Sequence, residues 1–242
     1  MRVAVITDIH ANVHALTAVL AAIDAEPPDA IWCLGDLVGY GPRPNECVRA
    51  VRERADVCLC GNHDLGVLGR LDLDDFTGDA ADAAIWTRGV LGDEERGFLE
   101  SLEPQARLAE AALFHASARD PVWEYVLSEE AALASLHLTT EPVVLVGHSH
   151  VALALVETDE GLLGGLAPGG AEVELEVGRW LLNPGSIGQP RDGDPRAAWL
   201  LIDFDHGLAT FRRTAYDVAA TQAEIRDAGL PESLAVRLAS GA

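Results

Sequence analysis

The chain has no lysine. All 17 of its basic residues are arginines, set against 39 acidic ones, for a formal charge of -22. A protein that grips DNA or RNA neutralises phosphates with clustered Lys and Arg, and an anionic membrane surface makes the same demand. Neither partner suits this sequence, and a nuclease working along a nucleic-acid polymer is disfavoured with them. Long apolar runs are missing too. The N-terminal run is only Val3 to Ile6, too short for a signal-peptide core, and the stretch Val143 to Val156 is interrupted by Gly147-His148-Ser149-His150. No membrane partner is expected, and the expected location is the cytoplasm. Cysteine is sparse: Cys33, Cys47, Cys58 and Cys60 all fall in the first quarter, with no Cys-x-x-Cys pair. Free thiols on neighbouring strands are expected, rather than a disulfide or a zinc knuckle.

What is there reads as an ordinary globular protein. Hydrophobic residues make up 49 % of 242 positions and charged ones 23 %, a length and balance that need no staple to close a core. Arg2 to Thr7, Ala30 to Leu34 and Asp56 to Cys60 are predicted strands. They alternate with a helix behind an Asn12 cap, carrying Val13, Leu16, Leu20 and Ile23, and a second helix over Pro44 to Arg54. This βαβαβ opening predicts a parallel sheet covered by helices. A helix is predicted over Asp79 to Leu102, with Ile85, Trp86, Val90, Leu91, Phe98 and Leu99 as core candidates, and others over Ser128 to Leu138 and Asp217 to Leu238. Strands are predicted at Ala111 to Phe114, Val143 to Val146, Glu172 to Val177, Trp180 to Leu182, Ala197 to Phe204 and Ala209 to Arg213. Gly164-Gly165 and Gly169-Gly170 read as turns. With no linker or repeat, residues 1–242 read as one α/β domain with two sheets and outer helices.

Potential metal ligands recur along this framework. Asp8-Ile9-His10, Gly35-Asp36, Gly61-Asn62-His63-Asp64, His115 and Gly147-His148-Ser149-His150 each follow a predicted strand. The C-terminal strand edge is where ligands bind in open α/β sheets, so clusters far apart in sequence converge there. Two carboxylates (Asp8, Asp36), one amide (Asn62) and four imidazoles (His10, His115, His148, His150) form a mixed oxygen and nitrogen set. That set suits Mn, Fe, Co, Ni or Zn and not an all-oxygen calcium site. Two such ions about 3.5 to 4 Å apart need a shared carboxylate, and Asp36 is the natural one. Two divalent cations held by two carboxylates leave a local charge of about +2, enough to attract one small phosphate in an otherwise acidic chain.

Asp-x-His, Gly-Asp, Gly-Asn-His-Asp, a later His and Gly-His-Ser-His, in this order, resemble the signature of the calcineurin-like metallophosphoesterase superfamily. The stretches Gly35 to Cys47 and Asn183 to Arg191 are similar to its small bacterial branch of phosphodiesterase or diadenosine-tetraphosphatase-like proteins. The resemblance implies two packed mixed β-sheets flanked by helices, a four-layer αββα sandwich. It places Asp8, His10, Asp36 and His150 at one divalent transition metal, and Asp36, Asn62, His115 and His148 at a second. His63 would protonate the leaving oxygen or stabilise phosphoryl charge, oriented by Asp64, while a metal-bridging water attacks. Ala11 and Ala116 stand where the family often has Gly, and Ser149 where Thr is commoner; no ligand is lost. Gly35-Asp-Leu-Val-Gly lacks the Asp-Arg-Gly of protein Ser/Thr phosphatases and symmetrical dinucleoside tetraphosphatases, which counts against both activities.

The expected activity is thus metal-dependent hydrolysis of small phosphate esters, foremost a phosphodiesterase on substrates of nucleotide or cyclic nucleotide type. A binding scaffold on the same fold is the alternative, disfavoured by the complete ligand set and His63. Arg119 and Arg191 follow predicted strands near these motifs, where a guanidinium holds a phosphate; the competing reading is a surface ion pair. Asn183 and Ser186 are expected to shape the floor of the site. Substrate choice is expected from Leu65 to Leu91 and from Ile187 to Arg196.

Overall fold

The computed structural model describes residues 1–242. Strand β1 (Arg2–Ile6) pairs in parallel with β2 (Ala30–Cys33), which pairs in parallel with the two-residue β3 (Val57–Cys58). Helices α1 (Val13–Ala25) and α2 (Pro44–Arg54) make the crossovers. The Asn12 side chain caps α1 by accepting from the Ala15 amide, and Pro44 opens α2, both as the sequence predicts.

A short helix α3 (Asn62–Val67) follows β3, then α4 (Gly78–Val90), α5 (Asp93–Glu100), β4 (Gln105–Arg107), β5 (Ala111–Phe114), α6 (Glu129–His137) and β6 (Val143–Leu145). The remainder is β7 (Leu153–Thr158), β8 (Gly161–Leu166), β9 (Glu172–Glu174), β10 (Arg179–Asn183), β11 (Ala197–Asp203), β12 (Leu208–Thr214), α7 (Val218–Asp227) and α8 (Glu232–Val236). Two six-stranded mixed sheets result, ordered β3-β2-β1-β11-β12-β9 and β4-β5-β6-β10-β7-β8. No helix is long and apolar enough to cross a membrane.

Strand periodicity sorts the core into layers. On β1, Val3 and Val5 face the second sheet, where they meet Leu113, Leu145 and Leu182, while Ala4 and Ile6 face Leu16, Val19 and Val48 of α1 and α2. The second sheet turns Phe114, Val144 and Leu181 outward onto Ala132 and Leu136 of α6. The layers therefore run helix, sheet, sheet, helix, as expected. Leu145 is fully buried between the sheets. Leu145→Ala is expected to cost about 2–5 kcal/mol, read as a lower urea midpoint at unchanged slope.

Several predicted elements are redrawn. The helix expected over Asp79 to Leu102 breaks at Leu91-Gly92, where Asn45 bridges the ends: its Nδ2 donates to Val90 O (2.8 Å) and its Oδ1 accepts from Gly92 N (2.8 Å). Helix α4 buries Ala80, Ala83, Ala84 and Thr87, which leaves the core candidates Ile85 and Val90 exposed on its far side. The C-terminal helix breaks at Gly229 (φ 71°), with Pro231 just beyond. Gly164-Gly165 lie inside β8, an edge strand that hairpins onto β7; glycine content hid it. Cys33 and Cys58 are register partners on β2 and β3, as expected, whereas Cys47 lies on α2 and Cys60 just beyond β3; all four thiols are free.

Candidate metal centre

The loops after β1, β2, β3, β5 and β6 converge at one sheet edge, and they are strained there. Seven non-glycine residues have φ between 49° and 63°: Asp8, His10, Ala11, Asp36, Tyr40, His148 and His150. Left-handed backbone costs of order 1–3 kcal/mol at a non-glycine residue and persists only where the surroundings enforce it. Five of the seven are residues the sequence nominates as ligands. Ala11 takes this conformation at the position where the resemblance favours glycine.

Loop hydrogen bonds supply the enforcement. Asp8 N and Ile9 N donate to Gly35 O and Asp36 O at 3.0 and 2.9 Å, tying the first two loops together. Ser186 Oγ donates to Asp8 O (2.8 Å) and Asn183 Nδ2 to Gly147 O (2.8 Å), so both floor candidates brace ligand loops. Gly61 permits the closest approach: a Cβ there would lie 2.1 Å from Asp36 Oδ1 and 2.6 Å from His115 Cε1.

All seven nominated ligands are buried and come together. Asp8, His10, Asp36 and His150 form one group of converging donor atoms, and Asp36, His115 and His148 a second. Asn62 Oδ1, 3.2 Å from His115 Nε2, joins the second group. The unpartnered Asp36 Oδ2 lies between them, 3.6 Å from His10 Nε2 and 3.5 Å from His115 Nε2. Asp8 Oδ1, likewise unpartnered, is 3.3 Å from His150 Nε2.

The outer nitrogen of each imidazole has a backbone acceptor. His10 Nδ1 donates to Val38 O (3.1 Å), His115 Nδ1 to Leu34 O (3.0 Å), His150 Nδ1 to Gln189 O (2.7 Å) and His148 Nε2 to Trp123 O (3.2 Å). A histidine that donates outward at one nitrogen turns a lone pair inward at the other. His10 Nε2 and His150 Nε2 therefore face each other as two lone pairs only 3.0 Å apart. That contact is repulsive without a cation between them. Donor atoms around one ion at zinc-type bond lengths are spaced by roughly 3.0–3.4 Å. The His10–His150, Asp8–His150 and Asn62–His115 spacings of 3.0, 3.3 and 3.2 Å fall in that range, while Asp36 stands 3.5 and 3.6 Å from His115 and His10, and Asp8 3.9 Å from His10. The residues present fit two divalent cations.

Electrostatics agree. Burial pushes the imidazoles of His10, His63, His115 and His150 below the ordinary histidine range, and that of His148 down to about 3. All five stand neutral at pH 7, the four ligand imidazoles with a lone pair free for a cation. Burial, then the neighbouring Asp64 and Asp8, pushes Asp36 well up. Asp8 is pushed up by burial but pulled down further by His150, His115 and Thr7 Oγ1. Two buried carboxylates thus lack compensating charge that divalent ions would provide.

His63 does not join either group. Its ring packs against Tyr40 (centroids 4.3 Å apart), His10 (4.9 Å) and Phe76 (5.3 Å). Nδ1 is sealed and unpartnered, leaving Nε2 as the nitrogen within reach of an incoming group. Gly39, at φ 85°, makes this possible: a Cβ there would come 2.6 Å from Nδ1.

Asp64 corrects an expectation. It makes no hydrogen bond to His63. Its carboxylate accepts from Leu37 N (2.9 Å), Val38 N (3.1 Å) and Gly61 N (2.9 Å), fastening the Asp36 loop to the start of α3. Successive side chains on a helix do not face one another, so Asp64 points away from its neighbour's ring. Burial raises its pKa to about 7 against the pull of these amides.

The two arginines separate. Arg191 Nη2 donates to Tyr40 Oη (3.2 Å) and Gln189 Oε1 (3.0 Å), and its charge acts on His10, Asp36, His63 and His150. Arg119 instead takes the surface ion-pair reading, bound to Glu124 and Glu130. Sequence reasoning missed the segment it braces: Trp123 carries the carbonyl that holds His148, and Tyr125 stacks on the His148 ring at 4.1 Å. Phe76 does come from the expected Leu65 to Leu91 wall.

The sequence profile of the calcineurin-like phosphoesterase superfamily domain matches residues 1–207. An uncharacterised protein of Methanocaldococcus jannaschii is 38 % identical over 244 residues, covering 99 % of this chain and 98 % of its own. The crystal structure of a metallophosphoesterase from Sphaerobacter thermophilus matches with a TM-score of 0.91 at 43 % identity, over 100 % of this chain and 99 % of that one. The symmetrical bis(5'-nucleosyl)-tetraphosphatase of Stutzerimonas stutzeri shares 39 % identity over 64 residues, 25 % of this chain and 23 % of that protein. A match spanning most of the chain, on a fold whose strand ends gather a buried His/Asp cluster, has one meaning: the chain belongs to the calcineurin-like phosphoesterase superfamily and is a phosphoester hydrolase.

Proposed function

We propose that the chain is a phosphodiesterase acting on small phosphate esters of nucleotide or cyclic nucleotide type. Asp8, His10, Asp36 and His150 would hold one divalent transition metal, and Asp36, Asn62, His115 and His148 the other. The observation that carries the reading is the 3.0 Å approach of the His10 and His150 lone pairs, beside two unpartnered buried carboxylate oxygens. When bound, two such ions supply Lewis-acid polarisation of phosphoryl oxygens and a lowered pKa for water.

The chain's own groups do the rest. His63 Nε2 donates to the phosphoryl or leaving oxygen, since Nδ1 is sealed. Arg191, oriented by Tyr40 and Gln189, offers one guanidinium to a phosphate oxygen. It is the arginine whose charge reaches the buried ligands, in keeping with a singly charged diester more than a dianionic monoester. The overall charge of -22 repels a long polyanion lying along the surface. The reading takes residues 1–242 as one catalytic domain in the cytoplasm, with neither a nucleic-acid polymer nor a membrane as partner.

The test is elemental analysis of the purified chain with a panel of phosphate mono- and diesters. Two divalent ions per chain are expected, with Mn-supported hydrolysis of bis-p-nitrophenyl phosphate that chelation abolishes and Mn restores. Chelation is also expected to lower the melting temperature by about 5–10 °C per site held at a hundredfold excess over Kd. Absence of bound ions, together with no hydrolysis of any ester, overturns the reading.

A further inference from the structure

Tyr125 is the one aromatic among the large exposed apolar side chains, with 47 % of its surface accessible. It is not loose. The preceding residue, Glu124, is held by Ser117 Oγ and by Arg119, and the following one, Val126, is buried in the core under α6. Asp120 Oδ1 accepts from Val122 N (3.1 Å) and Trp123 N (3.2 Å), fixing the turn that leads into it. The ring lies nearly parallel to His148, at 20° and 4.1 Å, so one face is covered by a nominated ligand and the other is open.

Aromatic residues are only 5 % of the chain, yet Tyr40, Phe76, Trp123 and Tyr125 all gather around the site histidines. They differ in presentation. Phe76 and Trp123 meet edge to face at 66°, closing a wall beside His63. Tyr125 alone offers a flat face, one ring away from an imidazole of the centre. A cage for an ammonium group needs several faces around one point, whereas a single braced face suits a flat, uncharged ring.

We propose that Tyr125 is a specificity-determining residue: it stacks the nucleobase of a nucleoside phosphoester whose phosphate lies at the metal centre. This rests on the phosphodiesterase reading for the location of the phosphate. Base-on-aromatic stacking contributes about 1–3 kcal/mol, equivalent to roughly 5- to 150-fold in affinity.

The experiment is calorimetric titration of the metal-loaded enzyme with adenosine monophosphate and, separately, ribose 5-phosphate. The nucleotide is expected to bind roughly 5- to 150-fold more tightly. Tyr125→Ala is expected to collapse that ratio towards unity and Tyr125→Phe to keep it, a pattern that a purely structural role for the hydroxyl or the loop does not produce. Equal binding of the two ligands by the native enzyme overturns the proposal, as does a ratio unchanged in Tyr125→Ala. Stronger binding of glycerophosphocholine than of the nucleotide also overturns it, in favour of a cationic substrate. If the ratio behaves as expected while no diester is hydrolysed, the platform stands and the phosphodiesterase reading falls.

Discussion

Asp36→Asn is expected to lose both metal ions together and to reduce phosphodiester hydrolysis to background. Asp36 Oδ1 already accepts from His63 N at 2.9 Å, which directs the other carboxylate oxygen to the gap between the two donor groups. An asparagine keeping that hydrogen bond turns its NH2 into the gap, 3.5–3.6 Å from His10 and His115 Nε2. Those nitrogens present lone pairs, because their other nitrogens donate to Val38 O and Leu34 O. The amide then satisfies with N–H groups what cations would satisfy in the native chain. The variant is thus expected to fold well without metal, with a melting temperature at least that of the chelated native protein.

Asp8→Asn gives the contrast. Asp8 belongs to one donor group only, so this variant is expected to retain one ion per chain. Elemental analysis of both variants with calorimetric melting separates the cases. Two ions per chain and full activity in Asp36→Asn would remove Asp36 from the shared position.

The ligands were legible in the sequence for a physical reason. Acids and imidazoles just after apolar runs are costly at the end of a buried strand unless something compensates them, so Asp8, His115 and His148 stand out against their neighbours. The sandwich was legible likewise, since strands such as Val3 to Ile6 are apolar on both faces. Asp64 was misread because adjacency in sequence suggested a partnership with His63 that helix geometry forbids. Tyr125 and Trp123 stood out by no period or motif, and only the turn closed by Asp120 brings them to His148. Arg119 followed the right strand, but Glu124 and Glu130 nearby in sequence compete for it, and in so acidic a chain a carboxylate within reach is the common outcome.

His63→Ala is expected to keep both metals and to lose about 10²- to 10⁴-fold in turnover. The metals stay because the His63 side chain belongs to neither donor group, and its contribution to Asp36 comes from the backbone amide, which alanine retains. Turnover falls because no nearby group replaces the ring. Tyr40 Oη is engaged with Arg191, the Asp64 carboxylate is occupied by amides, and Phe76 has no polar atom. The substitution empties the space between Tyr40, His10 and Phe76, which makes the defect repairable from solution: added imidazole is expected to recover part of kcat at constant metal content. A loss arising from distorted ligand loops would not respond to imidazole, and it would show as missing metal. Unchanged hydrolysis of bis-p-nitrophenyl phosphate by this variant would remove the His63 Nε2–H from the mechanism and leave Arg191 as the cationic side chain positioned to stabilise phosphoryl charge.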